Sequence, residues 1–325
     1  MSGQIKRIAV MTSGGDAPGM NAAIRAVVRG GIVGGLEVYG IHHAFAGLVN
    51  GEMQLMDARD VGGIIQRGGT ILQTARFPEF REENNQRKAI RRLNEHEIDG
   101  LIVIGGDGSL TGALALHRRG VKVIGIPGSI DNDIWGTDSC IGVDTALNTI
   151  LDAIDRLRDT ASSHQRVFVV EVMGRNCGHL AMTAGLVTGA EVVLTPEVET
   201  SLEELDKAIE DAYLKGKTHA MIVVAEGANL RCEQIASYLD QHDIGFEVRV
   251  TILGHVQRGG NPTGFDRLLA TRFGITAVQN LLEGNSGTMV ALNGISMVSI
   301  ALEEVIGKRR PINPHFVELA KTLTR

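Results

Sequence analysis

The fold class is first indicated by a run of nine residues, Leu101-Ile102-Val103-Ile104-Gly105-Gly106-Asp107-Gly108-Ser109. Its four apolar residues predict a short buried strand, and the glycines that follow turn the chain into a helix that begins near Ser109. Similar apolar runs precede glycine-containing loops at residues 7–11, 122–126, 167–172, 220–225 and 248–253. Strands that alternate with helical stretches predict a parallel α/β fold, in which ligands bind beyond the carboxyl ends of the strands.

The length of the chain predicts two lobes. Its 325 residues, 43% of them hydrophobic, exceed one ordinary core and can build two. Residues 143–160 carry apolar side chains at helical spacing and predict one long helix that crosses between the lobes. We expect a hinge just before it, near residues 138–142.

Charge and composition exclude several classes of function. The net charge of -6 provides no sequence-wide positive field, so we expect neither nucleic acid nor a membrane surface as a partner. The three cysteines are widely spaced and form no Cys-x-x-Cys pair, which argues against a disulfide framework or a zinc site. No apolar run approaches the ~20 residues that span a bilayer, so a cytoplasmic location is expected.

The turn after Ile104 is expected to bind phosphate. Its three glycines lack a Cβ atom and let backbone amides approach phosphate oxygens, while the following helix N-terminus favours an anion. Asp107 is placed to hold Mg²⁺ against those oxygens, and Ser109 could also cap the helix. A tight strand-to-helix turn without a ligand is the alternative, but the carboxylate within the turn favours phosphate binding.

A second turn of the same kind, residues 12–21, follows the first predicted strand. Two phosphate-type turns on neighbouring strands are what a nucleoside triphosphate needs when it lies across the edge of a sheet. Neither turn matches the dinucleotide pattern Gly-x-Gly-x-x-Gly or a Walker A loop.

The third loop, residues 127–133, places a hydroxyl and two carboxylates beyond another strand. We interpret Asp131 as the acceptor of a hydroxyl proton, Ser129 as a contact of the transferring phosphoryl group, and Asp133 as support for metal or base. Phosphoryl transfer needs this division because its catalysis is mostly positioning and charge stabilisation. Arg76 could neutralise the equatorial oxygens. An Asx-rich turn and a solvated arginine are the alternatives.

Two predicted strands have basic residues at both ends. Arg166 begins one strand and Arg175 follows its end, and seven extended residues span roughly 23 Å. Arg249 begins another strand, and His255 and Arg258 lie beyond its end, again about 20 Å away. One small substrate cannot touch both ends, so two chains must share each site if both ends bind substrate. Ordinary surface charge is the alternative for Arg166 and Arg249.

These loops closely resemble motifs of the bacterial ATP-dependent 6-phosphofructokinases, and the resemblance covers nearly the whole chain. The motifs are residues 12–21, 105–109, 130–133, 171–175 and 253–260. The resemblance implies two Rossmann-like lobes with mainly parallel sheets flanked by helices and the active site in the cleft between them. Residues 1–142 plus 257–307 would form the larger ATP-binding lobe, and residues 143–256 plus 308–325 the smaller lobe that binds fructose 6-phosphate.

The resemblance also implies a reaction and a set of site residues. Fructose 6-phosphate would be phosphorylated on its 1-hydroxyl by ATP and Mg²⁺, with Asp131 as base. The positions implied for the nucleotide are Gly15, Arg76, Phe77, Gly106, Asp107, Gly108 and Ser109, with Asp107 on the metal. The positions implied for the sugar phosphate are Ser129, Asp131, Met173, Gly174, Arg175, Glu226, His255 and Arg258, joined by Arg166 and Arg249 from a neighbouring subunit.

Regulation and assembly are implied in the same way. The family is a homotetramer with active and effector sites at subunit interfaces; ADP or GDP activates it and phosphoenolpyruvate inhibits it. The matching effector positions are Arg25, Arg29, Arg158, Gly189, Glu191, Lys215, Lys217 and His219. Three positions depart from the usual pattern. Ser129 replaces a common Thr, His179 replaces a common Asp, and Gly63 stands where an acidic residue is frequent, so the last two put regulation in doubt.

Three alternatives differ from this reading. The pyrophosphate-dependent branch usually carries Asp at position 108 and Lys at position 128, and both residues are Gly here, which favours ATP. Lipid and NAD kinases share the Gly-Gly-Asp-Gly turn, but the loop 130–133 and the paired arginine strands argue against them. The third alternative is a non-catalytic nucleotide sensor, and the presence of Asp107, Asp131 and Arg76 together argues against it.

Overall fold

The computed structural model of the protein describes residues 5–242 and 246–323. Residues 1–4 and 324–325, at the ends of the two predicted lobes, lie outside the described part. Packing divides the chain into two compact units. The first comprises Met1–Ile130, Ile134–Thr145 and Arg258–Arg310, and the second comprises Asp131–Asp133, Ala146–Gln257 and Pro311–Arg325.

A seven-stranded sheet forms the core of the first unit. Its strands are β1 (Arg7–Ser13), β2 (Glu37–Ile41), β3 (Met53–Met56), β4 (Gly100–Gly105), β5 (Val123–Pro127), β10 (Thr288–Asn293) and β11 (Ser296–Ala301). They lie in the order β11-β10-β5-β4-β1-β2-β3, and only β3 and β11 pair in antiparallel fashion. β4 and β5 are buried along their whole length, as expected for central parallel strands covered on both faces.

Helices of the first unit cover this sheet. They are α1 (Met20–Val33), α2 (Ala44–Asn50), α3 (Glu83–Glu95), α4 (Asp107–His117), α9 (Gly264–Leu282) and α10 (Leu302–Val305). α1 and α9 pack closely because Gly274 has no side chain; a Cβ atom there would lie 2.6 Å from the Cβ of Ala26. α5 (Val143–His164) begins in this unit, and its residues from Ala146 onward belong to the second.

The second unit contains a four-stranded parallel sheet in the order β7-β8-β6-β9. Its strands are β6 (Arg166–Val172), β7 (Val192–Leu194), β8 (Ala220–Ala225) and β9 (Glu247–Ile252), and its remaining helices are α6 (His179–Thr188), α7 (Leu202–Leu214), α8 (Cys232–Gln241) and α11 (Pro314–Leu323). Apolar residues of the strands and of α7 and α8 form its core, for example Val169, Leu205 and Ile235. A capping box of Ser201 and Glu204 begins α7.

The predicted strands are confirmed with ends that differ by at most two residues, and the long helix is confirmed with an end four residues later than predicted. The predicted run 122–126 is β5 at 123–127, and the helix predicted over 143–160 extends to His164. The hinge near residues 138–142 stays a prediction. Within residues 5–242 and 246–323, no helix combines the length and apolar character that crossing a bilayer requires.

Candidate active site

The turn Gly105–Ser109 joins β4 to α4 in the first unit. Gly105 must be glycine because a Cβ atom would lie 2.4 Å from the carbonyl oxygen of Ser13. Gly108 differs, since a Cβ atom there meets nothing within 4 Å. The exposed Asp107 is the first residue of the helix, where the helix dipole favours its negative charge.

The expectation that Ser109 caps this helix is wrong. α4 begins at Asp107, two residues earlier than predicted, and Gly106 is its N-cap without a side-chain hydrogen bond. Ser109 lies inside the first turn, is 4% exposed, and its Oγ packs 3.1 Å from the position of a Cβ atom on Gly14. Its hydroxyl therefore packs between the two glycine turns, which is a contact that spacing alone does not reveal.

The second turn lies beside the first because β1 and β4 pair in register, with Ser13 opposite Gly105. Gly14 adopts a φ of 86°, in the left-handed region that favours glycine. Arg258 approaches the same turn: its Nη1 donates to the carbonyl oxygen of Asp16 at 3.2 Å and would lie 2.2 Å from a Cβ atom on Gly15. Gly15 therefore allows the guanidinium to pack on the backbone.

The segment that carries Arg76 and Phe77 is tied to the second turn. Thr74 Oγ1 donates to the carbonyl oxygen of Gly14 at 2.8 Å, and Thr12 Oγ1 donates to that of Gln73 at 3.0 Å. Arg76 itself is exposed, and the ring of Phe77 lies 6.4 Å from that of Phe80. Arg76 therefore lies two residues after Thr74, whose hydrogen bond to Gly14 holds this segment against the second turn.

Ser129 follows β5 and lies next to the turn Gly105–Ser109. The Gly128 amide donates to the carbonyl oxygen of Gly105 at 3.0 Å, and a Cβ atom on Gly106 would lie 4.0 Å from Ser129 Oγ. The first unit therefore brings together Gly15, Gly105–Ser109, Ser129 and Arg258, all of which the sequence singled out. Ser129 is partly buried and its amide donates to Ile141.

Asp131 is grouped with the second unit, where it meets Arg175. It is 4% exposed, and its Oδ2 lies 3.4 Å from Arg175 Nε. Arg175 has a φ of 50°, and its backbone amide donates to Glu226 Oε1 at 2.6 Å. The structure thus joins three predicted substrate residues, Asp131, Arg175 and Glu226, in one chain of polar contacts. Asp133 is partly buried and lies two residues further on.

The loop Met173–Gly178 is held by contacts that sequence reasoning missed. The Met173 amide donates to Gln257 Oε1 at 3.1 Å, and Gln257 Nε2 donates to the carbonyl oxygen of Gly254 at 2.9 Å. Gln257 is fully buried and so connects the loop after β6 with the loop after β9, which carries the exposed His255. The only sequence signal for Gln257 is its place within the motif 253–260. Gly174 has a φ of 141° and packs on the carbonyl oxygen of Cys177.

Burial also affects two thiols of the second unit. The pKa of Cys177 is raised to about 11, chiefly because the thiol is buried, and the charges of Glu197, Asp133 and Asp131 add to this. Burial likewise raises the pKa of Cys232 to about 12, and burial also raises the pKa of its hydrogen-bond partner Glu171. Both thiols therefore stay protonated at neutral pH and do not act as nucleophiles.

Arg166 and Arg249 lie on neighbouring strands and share one carboxylate. Arg166 is the first residue of β6 and pairs in register with Glu247, while Arg249 is the third residue of β9 and so lies further from the start of its strand than predicted. Arg166 Nε lies 2.5 Å from Glu247 Oε2, and Arg249 contacts the other oxygen of Glu247. Glu247 was missed because charge at an edge strand has no distinctive spacing.

The predicted effector residues fall into two groups. Six lie in the second unit, where Arg158 Nη2 donates to the carbonyl oxygen of Thr188 at 2.5 Å and Lys217 Nζ lies 2.8 Å from Glu191 Oε1. Gly189 follows with a φ of 66°, and Lys215 and His219 flank Lys217 in sequence. Arg25 and Arg29 lie on α1 in the first unit. Of the two departures that bear on regulation, His179 begins α6, and Gly63 has a φ of 65° with open space around it.

Comparison with known proteins identifies the family. A protein-family model described as phosphofructokinase matches residues 7–281 of the chain. The ATP-dependent 6-phosphofructokinase of Thermotoga neapolitana is 51% identical over 321 residues, which are 98% of this chain and 100% of that protein. Its counterpart from Listeria welshimeri is 51% identical over 323 residues, again 98% of this chain and 100% of that protein.

Solved structures agree with this match. That of Pichia pastoris phosphofructokinase in the T-state has a TM-score of 0.90 and 38% identity, and it covers 99% of this chain and 36% of that longer one. A pyrophosphate-dependent phosphofructokinase from Marinobacter aquaeolei, at 22% identity and a TM-score of 0.86 over 96% of this chain and 86% of that one, shows the fold alone. The predicted resemblance and the two-sheet parallel fold are confirmed, and the chain belongs to the phosphofructokinase family.

Proposed function

We propose that this protein transfers the γ-phosphoryl group of ATP to the 1-hydroxyl of fructose 6-phosphate and forms fructose 1,6-bisphosphate, the committed step of glycolysis. Full-length relatives at 51% identity carry the name ATP-dependent 6-phosphofructokinase, which supports this activity and its class as a phosphotransferase. The observation that carries the proposal is the placement of Ser129 beside the phosphate turn, with Asp131 two residues further along the chain and in contact with Arg175.

Two glycines support ATP over pyrophosphate as donor. The space around Gly108 leaves room for the part of a nucleotide beyond its terminal phosphates, and an Asp there would fill that space with negative charge. At Gly128 a Cβ atom would lie 3.2 Å from Met20 Cε and 3.4 Å from Ile104 Cγ2, so a lysine would crowd the core. Both features support ATP as the donor, because ATP needs space near position 108 and does not need a lysine at position 128.

Asp131 is proposed as the general base. A carboxylate that takes the proton of the 1-hydroxyl must lie within hydrogen-bond reach of it and be fixed in direction. Burial and the contact with Arg175 restrict Asp131, and the guanidinium offsets part of its charge. Ser129 would contact the transferring phosphoryl group, and Asp133 would support the metal or the base.

Asp107 is proposed to hold Mg²⁺. Mg²⁺ is usually held by one or two carboxylates, and water and phosphate oxygens complete its shell. The exposed carboxylate at the phosphate turn fits that role. When bound, Mg²⁺ would supply positive charge to the phosphate oxygens. Gly15, Arg76, Phe77, Gly106, Gly108 and Ser109 would contact the nucleotide.

The sugar phosphate is proposed to bind residues from two chains of a homotetramer. Met173, Gly174, Arg175, Glu226, His255 and Arg258 would come from one chain, and Arg166 and Arg249 from its neighbour. The strand lengths support this division, because Arg166 begins β6 and Arg175 lies beyond its end, and the seven residues of this strand span roughly 23 Å. Glu247 would hold the two arginines side by side on the sheet.

An effector site for ADP or GDP and for phosphoenolpyruvate is proposed at the positions predicted above. The close contacts of Arg158 with Thr188 and of Lys217 with Glu191 provide basic side chains within the second unit.

The lobes are proposed as residues 1–142 plus 257–307 and 143–256 plus 308–325, a division that the packing units support. A cytoplasmic location stays a prediction.

A coupled assay with purified protein tests this function. Fructose 1,6-bisphosphate formation is measured with fructose 6-phosphate and Mg²⁺ and with either ATP or pyrophosphate as donor. We expect turnover with ATP and at least 100-fold lower kcat/KM with pyrophosphate, about 2.7 kcal/mol of discrimination. Turnover with pyrophosphate alone would assign the chain to the alternative branch, and tight ATP binding without product would point to a sensor. Addition of ADP and of phosphoenolpyruvate tests the effector site.

A further inference from the structure

Two helix N-termini of the first unit are bonded to each other. α5 begins at Val143, directly after Gly142, and α9 begins at Gly264, directly after its N-cap Thr263. Thr263 Oγ1 donates to Asp144 Oδ2 at 2.6 Å, and the Thr263 amide donates to Thr145 Oγ1 at 3.0 Å. The first turn of α5 therefore satisfies the cap of α9.

Asp266 makes the reciprocal connection from α9 to α5. Its Oδ1 accepts from the Gly142 amide at 2.9 Å, and its Oδ2 accepts from the amide and the hydroxyl of Thr145 at 2.8 and 2.6 Å. Asp266 is fully buried and Thr145 is 5% exposed. Burial raises the pKa of Asp266, and the hydrogen bonds from Thr145 and Gly142 oppose that rise. Three donors on a buried carboxylate indicate a fixed contact.

This arrangement departs from an ordinary capping box. Asp266 is the third residue of α9, and its amide donates to Thr263 Oγ1 at 3.2 Å, as in a capping box. In that motif the carboxylate at this position accepts from the amide of its own N-cap. Here the carboxylate reaches another helix instead, and the Thr263 amide is satisfied by Thr145. Asp266 is therefore committed to the start of α5.

The segment that Asp266 holds packs against the second glycine turn, residues 12–21, and against the loop that carries Ser129. Ile141, the neighbour of Gly142, donates its amide to the carbonyl oxygen of Pro127 at 3.0 Å and accepts from the Ser129 amide at 3.2 Å. On the other side, a Cβ atom on Gly19 would lie 2.7 Å from Ile141 Cγ2, and one on Gly142 would lie 2.7 Å from the Cβ of Ala17. Ile141–Gly142 is thus wedged between residues 17–19 and the loop that carries Ser129.

We propose that Asp266 is a positioning residue for phosphoryl transfer, which fixes Ile141–Gly142 and through it the place of Ser129 beside Gly106. The inference rests on the proposed function, because it assumes that Ser129 contacts the transferring phosphoryl group. Asp266 is fully buried and bonded to Gly142 and Thr145, so it would act through that segment. A small displacement of a positioned group lowers the rate of transfer more than it weakens binding.

Asp266→Asn tests the proposal at constant shape. An amide has one acceptor oxygen, so its NH₂ group must face either the Gly142 amide or the Thr145 amide, and one hydrogen bond becomes a contact between two donors. We expect kcat to fall about 10-fold or more while KM for fructose 6-phosphate stays within about threefold. Hydrogen exchange at residues 127–142 should become faster.

A second pair of variants keeps the test decisive if Asp266→Asn folds poorly. Thr145→Val removes the hydroxyl that links Asp266 to Thr263, whereas Thr145→Ser keeps it. We expect Thr145→Val to reproduce the fall in kcat and Thr145→Ser to retain most of the wild-type kcat. The double variant of Asp266→Asn and Thr145→Val should lose little beyond the worse single variant, because both changes break one network.

Ser201→Ala is the matched control, since it removes the cap of α7 in the second unit. It should lower the thermal midpoint without changing kcat, and exchange should rise only in α7. Wild-type kcat in folded Asp266→Asn and Thr145→Val would overturn the proposal. A wild type without turnover would instead contradict the proposed function, and exchange at residues 127–142 would still decide whether Asp266 fixes that segment.

Discussion

Asp131 is the residue on which turnover should depend most. Asp131→Ser removes the proposed base and leaves Arg175 without the carboxylate that it contacts. We expect kcat to fall at least about 100-fold, with a smaller change in KM for fructose 6-phosphate, as is usual for loss of a general base. Steady-state kinetics with ATP measure both constants.

Asp152→Ser provides the control for this change. Asp152 lies on α5, its side chain is 67% exposed, and its partner is Arg156 one helical turn away. An exposed pair of this kind contributes little to stability, so this variant should keep wild-type turnover. Near wild-type turnover of Asp131→Ser would exclude Asp131 as the base.

The buried thiols predict a pH dependence of alkylation. Because the pKa of Cys177 is raised to about 11 and that of Cys232 to about 12, the reactive thiolate is scarce at pH 8, about one part in a thousand or fewer. Native protein treated with iodoacetamide at pH 8 should keep both thiols unmodified, and denatured protein should lose both. Peptide mass spectrometry reads the two sites separately, and rapid labelling of native Cys177 would contradict the assigned burial.

Two glycines at the junction of β4 and α4 should respond differently to substitution, because Gly105 has no space for a Cβ atom and Gly108 has. Gly105→Ala forces a Cβ atom against the Ser13 backbone and should lower the free energy of unfolding by about 1–3 kcal/mol. Gly108→Ala places its methyl group in open space within a helix and should leave stability unchanged or raise it by up to about 1 kcal/mol. Urea denaturation compares the two, and equal stabilities would show that the junction can relax.

Elements whose pattern is local could be predicted from the sequence, and those defined by pairing could not. β1, β4, β5, β6 and β8 are apolar runs before glycine and were found. β3 and β7 have only four and three residues, and β11 has exposed and partly buried residues, so their assignment depends on the neighbouring strand.

The same limit applies to the site. The glycine turns and the carboxylates of residues 127–133 could be predicted as site residues because the groups that suggest their chemistry are adjacent in the sequence. Gln257, Glu247 and Asp266 could not, because each acts on residues 81 or more positions away, as the contacts to Met173, Arg166 and Gly142 show. A polar side chain that bridges distant segments has no periodicity, and only the folded chain reveals its partner.

The proposed assembly can be tested directly, because the proposed substrate site takes Asp131 from one chain and Arg249 from another. Two chains that are each inactive, Asp131→Ala and Arg249→Ala, should then form one intact site in every hybrid pair. The partner site of that pair carries both changes. With random pairing at equal amounts, about a quarter of wild-type activity should return after mixing and reassembly.

A second mixture controls for this recovery. Asp131 and Arg175 contact each other within one chain, so a mixture of Asp131→Ala with Arg175→Ala contains no site in which both residues are intact. Activity should therefore return in the Asp131→Ala and Arg249→Ala mixture and not in this one. Native mass spectrometry must detect hybrids in both mixtures. Confirmed hybrids without recovery in the first mixture would place Arg249 in the same site as its own Asp131 or outside the site altogether.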